Sequence, residues 1–267
     1  MQIKSPAKLN LILKVVDKLP NNYHLLEMFN VLIDLEDIIE IKEASHTNIN
    51  YDKYTIEKEN DIIYKVVTKF IETYQLPNQD IYIIKNIPVG AGLGGVSSNV
   101  ATIINFLNSF YRLGLTLQEL IDFVLPYGTD ICFLLYNKKA IVKGIGEIIE
   151  TIDYNINKQI LIIYPNIKIE TKYIYNKVRQ VSECKVTKNY VLNNNIVDIL
   201  ENDLEPVVFE NISNMKEIYE TLKKDISNIH MSGSGSTFYS IIEKEIDIEE
   251  ITKKYPEFLI RICNIYN

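Results

Sequence analysis

The sequence is poor in the residues that build disulfide frameworks and metal sites. It has three histidines and three cysteines, Cys132, Cys184 and Cys263, which lie far apart and form no C-x-x-C pair. An odd number of widely spaced cysteines is typical of reduced thiols, and it argues against both a disulfide scaffold and a structural zinc site. We therefore expect a cytoplasmic protein.

Positive charge and long apolar runs are scarce too. The chain has 28 Lys and Arg against 35 Asp and Glu, a net charge of −7, which argues against a general nucleic-acid binder and a polybasic membrane-surface protein. No apolar run reaches the roughly 18 residues of a membrane span, and a strand pattern begins by Ile3, so we expect no targeting peptide. The expected partners are small molecules, and an anionic one needs a local positive site. Monomer and homodimer both remain open.

Glycine is sparse as well, yet it is concentrated in one place. Only ten glycines occur in 267 residues, and Gly90, Gly92, Gly94 and Gly95 fall within six positions of the stretch NIPVGAGLGGVSSNV. Glycines let backbone N–H groups point inward, and the N-terminus of a following helix adds partial positive charge. The stretch predicts a phosphate site, with two serines at the helix cap. The alternative is a tight turn with an ordinary serine cap.

Two other kinds of phosphate loop fit this stretch poorly. A P-loop requires G-x-x-x-x-G-K-[ST], and no lysine follows here. The dinucleotide pattern G-x-G-x-x-G is matched by Gly90, Gly92 and Gly95, but it requires an acidic residue at the end of a strand about 20 positions later. That region is predicted to be helix and turn, and Pro88 also disfavours a strand that runs directly into the loop.

The apolar spacing predicts both strands and helices. Strands are expected at KLNLILKVV, NVLIDLEDIIEI, QDIYIIKNI and KQILIIYP, and IHMSGSGSTFYSII is expected to form a strand, a glycine turn and a strand. Helices are expected at NDIIYKVVTKFIETY with Asp61 as cap, at 97–110, at TLQELIDFV with Thr116 as cap, after the turn in KIETKYIYNKV, and at SNMKEIYETLKK. VTKNYVLNNN is predicted to be a polar loop. The pattern of predicted elements changes beyond about residue 150, which predicts two domains with an approximate boundary at 150–156.

Three further places carry residues suited to chemistry. Lys8 and Asn10 lie two residues apart on one face of the first strand, so both can address one ligand. Asp130 directly precedes an apolar run, where a carboxylate is either a helix cap or a partly desolvated base. MSGSGST is a second glycine turn. Taken alone, Lys8 is equally consistent with a solvated strand-end lysine, and a Gly–Ser turn is a common loop feature.

The order of these motifs resembles a known superfamily. PAKLNL at the N-terminus, NYH in the twenties, P-x-G-A-G-L-G-G-x-S-S near 90, G-T-D near 130 and M-S-G-S-G-x-T near 230 resemble the GHMP kinases, named after galactokinase, homoserine kinase, mevalonate kinase and phosphomevalonate kinase. PAKLNL, NYHLLEMFNVLIDLEDII, ENDLEPVVFE and AIVKGIGE are most similar to the kinases of 4-diphosphocytidyl-2-C-methyl-D-erythritol. The resemblance covers about residues 3 to 260.

The resemblance implies an α+β, two-lobed GHMP kinase fold. An N-terminal lobe over 1–152, similar to ribosomal protein S5, would bind ATP, and a ferredoxin-like C-terminal lobe over 153–267 would close the substrate cleft. The implied reaction moves the γ-phosphoryl of ATP, with Mg²⁺, to the 2-hydroxyl of cytidine-diphospho-methylerythritol. Such a transfer needs chiefly positioning and charge stabilisation, so few side chains are sufficient.

The resemblance also implies roles for residues of this sequence. Asp130 would be the base or hydroxyl-orienting carboxylate, with Lys8 as the supporting cation and Asn10 beside the substrate. Tyr23, His24 and Tyr175 would form the nucleobase pocket, with two rings stacked on the cytosine and His24 at its edge. Gly233 and Gly235 would line the floor near the reacting phosphate. The ATP phosphates would be wrapped by Pro88, Val89, Gly90, Ala91, Gly92, Leu93, Gly94, Gly95, Val96, Ser97 and Ser98.

The sequence departs from the family pattern at several of these positions. Val96 replaces the last glycine of the loop, Asn22 replaces the glycine before Tyr-His, and Cys132 and Ser236 replace prolines. We expect the backbone at Val96 to adopt an ordinary conformation, because a β-branched residue at positive φ is strained. Asparagine tolerates the left-handed conformation better than most residues.

Two alternatives to this activity stay open at the level of sequence. One is another small-molecule kinase of the superfamily, of the homoserine or mevalonate type. The other is a non-catalytic nucleotide-binding protein on the same fold, although such a protein is expected to lack Lys8 or Asp130.

Overall fold

The computed structural model describes residues 1–182 and 186–266, so Cys184 lies outside the described residues. It forms two compact units, and each unit is assembled from separate segments of the chain. Unit 1 comprises Met1–Lys8, Leu35–Ile87 and Gly94–Asn137, and unit 2 comprises Leu9–Asp34, Pro88–Leu93 and Lys138–Asn267. Two long strands, β1 (Gln2–Lys18) and β2 (His24–Glu43), each contribute residues to both units.

Unit 1 combines a small sheet with helices. Strand β4 (Gln79–Ile84) pairs antiparallel with the second half of β2 and parallel with β3 (Asn48–Tyr51). The helices are α1 (Ile62–Thr73), α2 (Gly95–Phe110), α3 (Leu117–Val124) and α4 (Thr129–Tyr136), with a 3₁₀ turn at Leu125–Tyr127. Helix α1 buries Ile63, Val66, Val67, Phe70 and Ile71, which recur at helical spacing.

The starts of two helices in unit 1 follow from their capping residues. The Asp61 side chain accepts hydrogen bonds from the backbone N–H groups of Ile63 and Tyr64, which satisfies donors that lack a partner within the helix. Thr116 and Glu119 form a reciprocal capping box at α3. Both caps were predicted from the sequence and are confirmed.

Unit 2 contains two groups of paired strands. The first half of β2 pairs with β5 (Ala140–Gly144), which forms a hairpin with β6 (Ile148–Thr151), and β1 pairs parallel with the short β8 (Glu201–Asn202). A separate antiparallel sheet has the order β11–β7–β10–β9, formed by Leu259–Asn264, Gln159–Tyr164, Phe238–Ile241 and Ile229–Met231. Its strand β7 is buried over Ile160–Tyr164, as the continuous apolar run predicted.

The helices of unit 2 are short. They are α5 (Thr171–Tyr175), α6 (Lys188–Leu192), α7 (Leu204–Asn211), α8 (Ser213–Leu222) and α9 (Ile248–Lys254), with a 3₁₀ turn at Ile196–Ile199. The prediction that VTKNYVLNNN is a loop was wrong over Lys188–Leu192, because Thr187 caps α6 by accepting a hydrogen bond from the backbone N–H of Tyr190. The asparagines that follow α6 make the segment polar on average, although Val191 within the helix is buried.

The contacts do not divide the chain at one point, whereas the sequence suggested lobes at 1–152 and 153–267. Segments of both units occur on the N-terminal side of that boundary, because β1, β2 and the glycine stretch all pass from one unit to the other. The sequential boundary therefore stays a prediction. Among the described residues, no helix is long and apolar enough to cross a membrane.

Candidate active site

Unit 1 brings Lys8 and Asp130 together. The Nζ atom of Lys8 lies 3.7 Å from Oδ2 of Asp130, and the two side chains differ sharply in exposure, at 6% and 45%. Lys8 is on β1, whose polar face is buried along with its apolar face, and Asp130 is in the first turn of α4 after Gly128. A buried cation therefore stands beside an accessible carboxylate, an arrangement suited to orienting a hydroxyl group and stabilising negative charge next to it.

The N-terminus of α2 lies directly beside Lys8. Gly94, the residue before the helix, has φ +66°, and a Cβ atom added there would lie 2.8 Å from Cγ of Lys8 and 3.2 Å from its Cε. Only glycine fits this position, because it accepts positive φ and leaves room for the lysine. The helix start has no side-chain cap and no acidic residue in its first turn. Its free backbone N–H groups and partial positive charge suit an anion.

The two serines of the glycine stretch are not the helix cap that the sequence predicted. Helix α2 begins at Gly95, so Ser97 and Ser98 both lie within its first turn. Ser98 is buried and its hydroxyl donates to the carbonyl oxygen of Pro6 at 2.6 Å, whereas Ser97 is half-buried. Val96 is helical, which confirms the expectation of an ordinary backbone conformation there. The turn that leads into α2 is therefore formed by glycines, without a serine cap.

In unit 2 the first part of the glycine stretch packs against the second glycine turn. Gly92 has φ +77°, and a Cβ atom there would contact the carbonyl oxygen of Ser232 and lie 2.8 Å from that of Gly235. The backbone N–H of Thr237 donates to the carbonyl of Ala91 at 3.2 Å. The two motifs, about 140 residues apart in sequence, therefore pack against each other in this unit, and Ala91, Ser232 and Thr237 are buried there.

Side chains of unit 2 hold the second glycine turn in shape. The amide of Asn202 donates to the carbonyl oxygens of Met231 and Gly233, both at 2.8 Å, and Gly233 and Gly235 have φ of +58° and +81°. The hydroxyls of Thr171 and Ser234 lie 2.9 Å apart. The turn is thus hydrogen-bonded to β8 and to the start of α5.

Asn10 lies in a buried polar contact of unit 2. Its side-chain amide donates to Oδ1 of Asn30 at 2.7 Å, and its backbone N–H donates to the hydroxyl of Ser232 at 3.4 Å. Asn30, on the neighbouring strand β2, was missed by the sequence analysis, since an isolated asparagine inside a strand carries no motif. These bonds fix the orientation of Asn10, and its contact with substrate stays a prediction.

Two of the three residues predicted to bind the nucleobase, His24 and Tyr175, are in contact in unit 2. The ring centroids of His24 and Tyr175 lie 5.4 Å apart at an interplanar angle of 32°. Tyr23 is 54% exposed, and its turn includes Asn22 at φ +67°, the left-handed conformation that asparagine was expected to tolerate. Carbon atoms in contact are about 3.5 Å apart, so a base between two rings needs about 7 Å. His24 and Tyr175 therefore touch each other and leave no room for a base between them.

The His24 ring has one polar atom without a partner. Its Nε2 atom is buried and makes no hydrogen bond within the described part of the chain. Burial, and to a lesser extent the charge of Lys18, lowers the pKa of His24 from its ordinary value of 6.5, so the imidazole is neutral at pH 7. A neutral imidazole nitrogen can serve as donor or acceptor according to its tautomer, which suits recognition of a heterocycle edge.

No cluster of metal ligands accompanies these groups. Over residues 1–182 and 186–266, no set of three or more His, Cys, Asp or Glu side chains is arranged to hold a metal ion.

Comparison with known proteins decides the family. The model described as "GHMP kinases N terminal domain" matches residues 61–138, and "GHMP kinases C terminal" matches residues 188–261. A 4-diphosphocytidyl-2-C-methyl-D-erythritol kinase of Persephonella marina is 35% identical over 257 residues, which is 93% of this chain and 94% of that protein. One from Sulfurihydrogenibium sp. is 36% identical over 92% of this chain and 93% of its own length. The chain belongs to the 4-diphosphocytidyl-2-C-methyl-D-erythritol kinase family of GHMP kinases.

Solved structures agree on the fold. A crystal structure of a 4-(cytidine 5'-diphospho)-2C-methyl-D-erythritol kinase has a TM-score of 0.80 at 22% identity and covers 98% of this chain and 99% of its own. The Methanococcus jannaschii mevalonate kinase has a TM-score of 0.70 at 16% identity and covers 100% of this chain and 98% of its own. The GHMP kinase fold and the family predicted from the sequence are both confirmed. As a GHMP kinase, the chain is a small-molecule phosphotransferase that uses ATP.

Proposed function

We propose that the chain transfers the γ-phosphoryl group of ATP to the 2-hydroxyl of 4-diphosphocytidyl-2-C-methyl-D-erythritol, a step of the methylerythritol phosphate route to isoprenoid precursors. The names of the two relatives at 35% and 36% identity support this substrate. The observation that carries the chemistry is the pairing of buried Lys8 with accessible Asp130 at 3.7 Å.

Asp130 acts on the attacking hydroxyl. Its carboxylate is exposed enough to accept the hydroxyl hydrogen bond and, as transfer proceeds, the proton. Lys8 holds that carboxylate in place and keeps a positive charge beside the position where the transferring phosphoryl develops negative charge. Because Lys8 is buried, water screens its charge little.

The start of α2 holds phosphate. Its uncapped first-turn N–H groups lie beside Lys8, so a phosphate bound there is already next to the charge that stabilises transfer. In unit 2, the positive φ of Gly92 lets the backbone pack against the carbonyl oxygens of Ser232 and Gly235, and contact of Gly90 and Gly92 with nucleotide stays a prediction.

Mg²⁺ fits the residues present. Magnesium is usually held by one or two protein oxygens together with substrate phosphates and water. The Asp130 carboxylate and the half-buried Ser97 hydroxyl would supply such oxygens, whereas the Ser98 hydroxyl is engaged with Pro6. When bound, the ion neutralises phosphate charge.

The cytidine would be held by residues of unit 2. Since His24 and Tyr175 are in contact, we assign the two stacking rings to Tyr23 and Tyr175 and the edge of the base to the unpartnered Nε2 of His24. Each stacked ring contributes roughly 1–3 kcal/mol and accepts any base. Selection of cytosine therefore depends on the hydrogen bond of His24, whose loss leaves a buried polar atom unsatisfied.

The test is ADP release with four acceptor conditions: 4-diphosphocytidyl-2-C-methyl-D-erythritol, homoserine, mevalonate and none. The proposal predicts release above background with the cytidine compound alone. Turnover of homoserine or mevalonate instead would assign the chain to another GHMP activity. Binding of ATP without turnover of any acceptor would indicate a nucleotide-binding protein.

A further inference from the structure

A buried polar cluster of unit 1 lies at the base of the glycine stretch. It consists of five side chains that are between 0% and 3% exposed, and we call it the Lys85 cluster: Ser5, Asp37, Lys85, Ser98 and Asn99. Of these five residues only Ser98 belongs to a predicted phosphate-binding motif, because the members come from four separate segments of the chain.

The centre of the cluster is an ion pair with an amide beside it. The Lys85 ammonium donates to Oδ2 of Asp37 and to Oδ1 of Asn99, the latter at 2.9 Å. The Asn99 amide in turn donates to Oδ2 of Asp37 at 3.0 Å and to the hydroxyl of Ser5 at 2.9 Å. Each charged group therefore has several partners, as a buried charge requires.

One side of the cluster holds the chain where the glycine stretch begins. The Oδ1 atom of Asp37 accepts hydrogen bonds from the backbone N–H groups of Asn86, at 2.7 Å, and Ile87, at 2.9 Å. These are the last residues of unit 1 before the chain passes into unit 2 at Pro88. The carboxylate thus fixes the backbone at this end.

The other side holds the chain where it returns to unit 1. Ser98 and Asn99 follow directly after the first residues of α2, and the Ser5 hydroxyl donates to that of Ser98 at 2.8 Å. Ser98 donates to the carbonyl of Pro6, two residues before Lys8 on β1. The cluster therefore bonds the start of α2 to the strand that carries Lys8.

The two ends are also in direct steric contact. A Cβ atom at Gly95 would lie 2.9 Å from Cγ2 of Ile87 and 3.4 Å from Nζ of Lys85. Glycine is therefore required here for packing, since its φ is not in the left-handed region.

A buried ion pair is a costly way to obtain stability alone. Replacing such a pair with apolar side chains is often neutral or stabilising, so the pair is better explained by what it positions. Burial lowers the pKa of Lys85, a sign of this cost, while the charge of Asp37 opposes the shift.

We propose that the Lys85 cluster is a positioning device that sets the first turn of α2 against Lys8, and so fixes the ATP phosphates for transfer. The proposal rests on the ATP site described above. The Ser98 hydroxyl and backbone N–H are both bonded within the protein, so all five residues act through the backbone and through Lys8 and not by contact with ATP.

The test compares stability with nucleotide affinity. Lys85→Met removes the ammonium and leaves Asp37 with its backbone and Asn99 donors, whereas Asp37→Asn with Lys85→Met removes both charges. Unfolding midpoints are measured by thermal denaturation, and the affinity for a non-hydrolysable ATP analogue is measured by calorimetry. This readout needs no acceptor, so it is independent of the proposed substrate.

We expect Lys85→Met to lower the midpoint and to weaken analogue binding by about 10-fold or more, since a displaced helix start loses hydrogen bonds to charged phosphate. The double variant should recover stability but not affinity. Recovery of both would show that the cluster is only structural and overturn the proposal. If Lys85→Met does not fold, the affinity of the double variant alone tests the proposal. Weakened analogue binding supports it, and wild-type binding overturns it.

Two further variants complete the experiment. Lys14→Met removes a lysine of unit 2 that is 7% exposed and ion-paired with Glu201 and Asp203, so it is a matched loss of a buried charge. It should lower stability but change analogue affinity less than twofold. Ser5→Ala removes two neutral hydrogen bonds, one donated to Ser98 and one accepted from Asn99, and should weaken analogue binding by about 3-fold. Equal weakening by Lys14→Met, or no effect of Ser5→Ala, would contradict the proposal.

Discussion

The ammonium group of Lys8 lies 3.7 Å from the Asp130 carboxylate, and only the lysine is buried. This difference in exposure suits the two residues to different proposed roles. The carboxylate is accessible to a hydroxyl group, while the cation is shielded from water and its alkyl stem occupies the space that a Cβ atom of Gly94, the residue before α2, would need. In the proposed mechanism, the pair therefore connects the acceptor hydroxyl to the helix start that would bind phosphate, within a single unit.

Loss of the Asp130 carboxylate should impair chemistry and spare binding. We expect Asp130→Asn to lower kcat by about 10²-fold or more with little change in KM for the cytidine substrate, because a base or orienting group acts mainly in the transition state. Lys8→Ala should act similarly. Steady-state kinetics measure both. A variant that keeps more than half of the wild-type kcat would remove that residue from the mechanism.

Gly94→Ala should displace Lys8. The variant adds a methyl group 2.8 Å from Cγ of Lys8 at φ +66°, so we expect a lower kcat in addition to a loss of stability of about 1–2 kcal/mol from the backbone. Gly114→Ala is the matched control, since Gly114 has φ +71° and nothing within 4 Å of the added atom. It should lose similar stability and keep its kcat. Equal kcat values for the two variants would mean that the contact with Lys8 is unimportant.

Tyr175 should matter for the cytidine substrate and not for ATP. Tyr175→Ala removes a stacking ring, and we expect KM for the cytidine substrate to rise about 10-fold or more, with KM for ATP unchanged. Tyr175→Phe keeps the ring and should be tolerated. Equal effects on both substrates, or a general loss of folding stability, would assign Tyr175 to the core.

His24 should make the protein less stable in acid. Its folded pKa is below the ordinary 6.5, so the unfolded chain binds the proton more readily. The stability that His24 contributes is present above pH 6.5 and is lost as the pH falls from there toward the folded pKa. Thermal denaturation between about pH 7.5 and pH 5.5 should show a smaller drop for His24→Gln than for wild type. Equal drops would show that His24 is not responsible.

The sequence predicted those parts of the fold whose signals are local. The caps at Asp61 and Thr116, the buried run of β7 and the left-handed Asn22 each follow from a few neighbouring residues. The serine cap failed because the helix begins earlier, at a glycine, and α6 was hidden by the asparagines that follow it.

The parts that escaped prediction depend on distant residues. The Asn10–Asn30 bond and the Lys85 cluster join segments between 14 and 94 positions apart, and no spacing rule reveals such pairs. The interleaving of the two units along the chain has the same origin, because it depends on where β1 and β2 make their contacts.

The central claim is transfer of phosphoryl to the 2-hydroxyl of the cytidine substrate. The most direct measurement is ³¹P NMR of the product formed from ATP and 4-diphosphocytidyl-2-C-methyl-D-erythritol, recorded with proton coupling. Carbon 2 carries the methyl group and no hydrogen, so a phosphate there has no three-bond coupling to a proton. We expect one new monoester resonance without such splitting, and its formation should be about 10²-fold slower or more in Asp130→Asn. A monoester split by carbinol protons, or no monoester while ATP is consumed with homoserine or mevalonate, would contradict it.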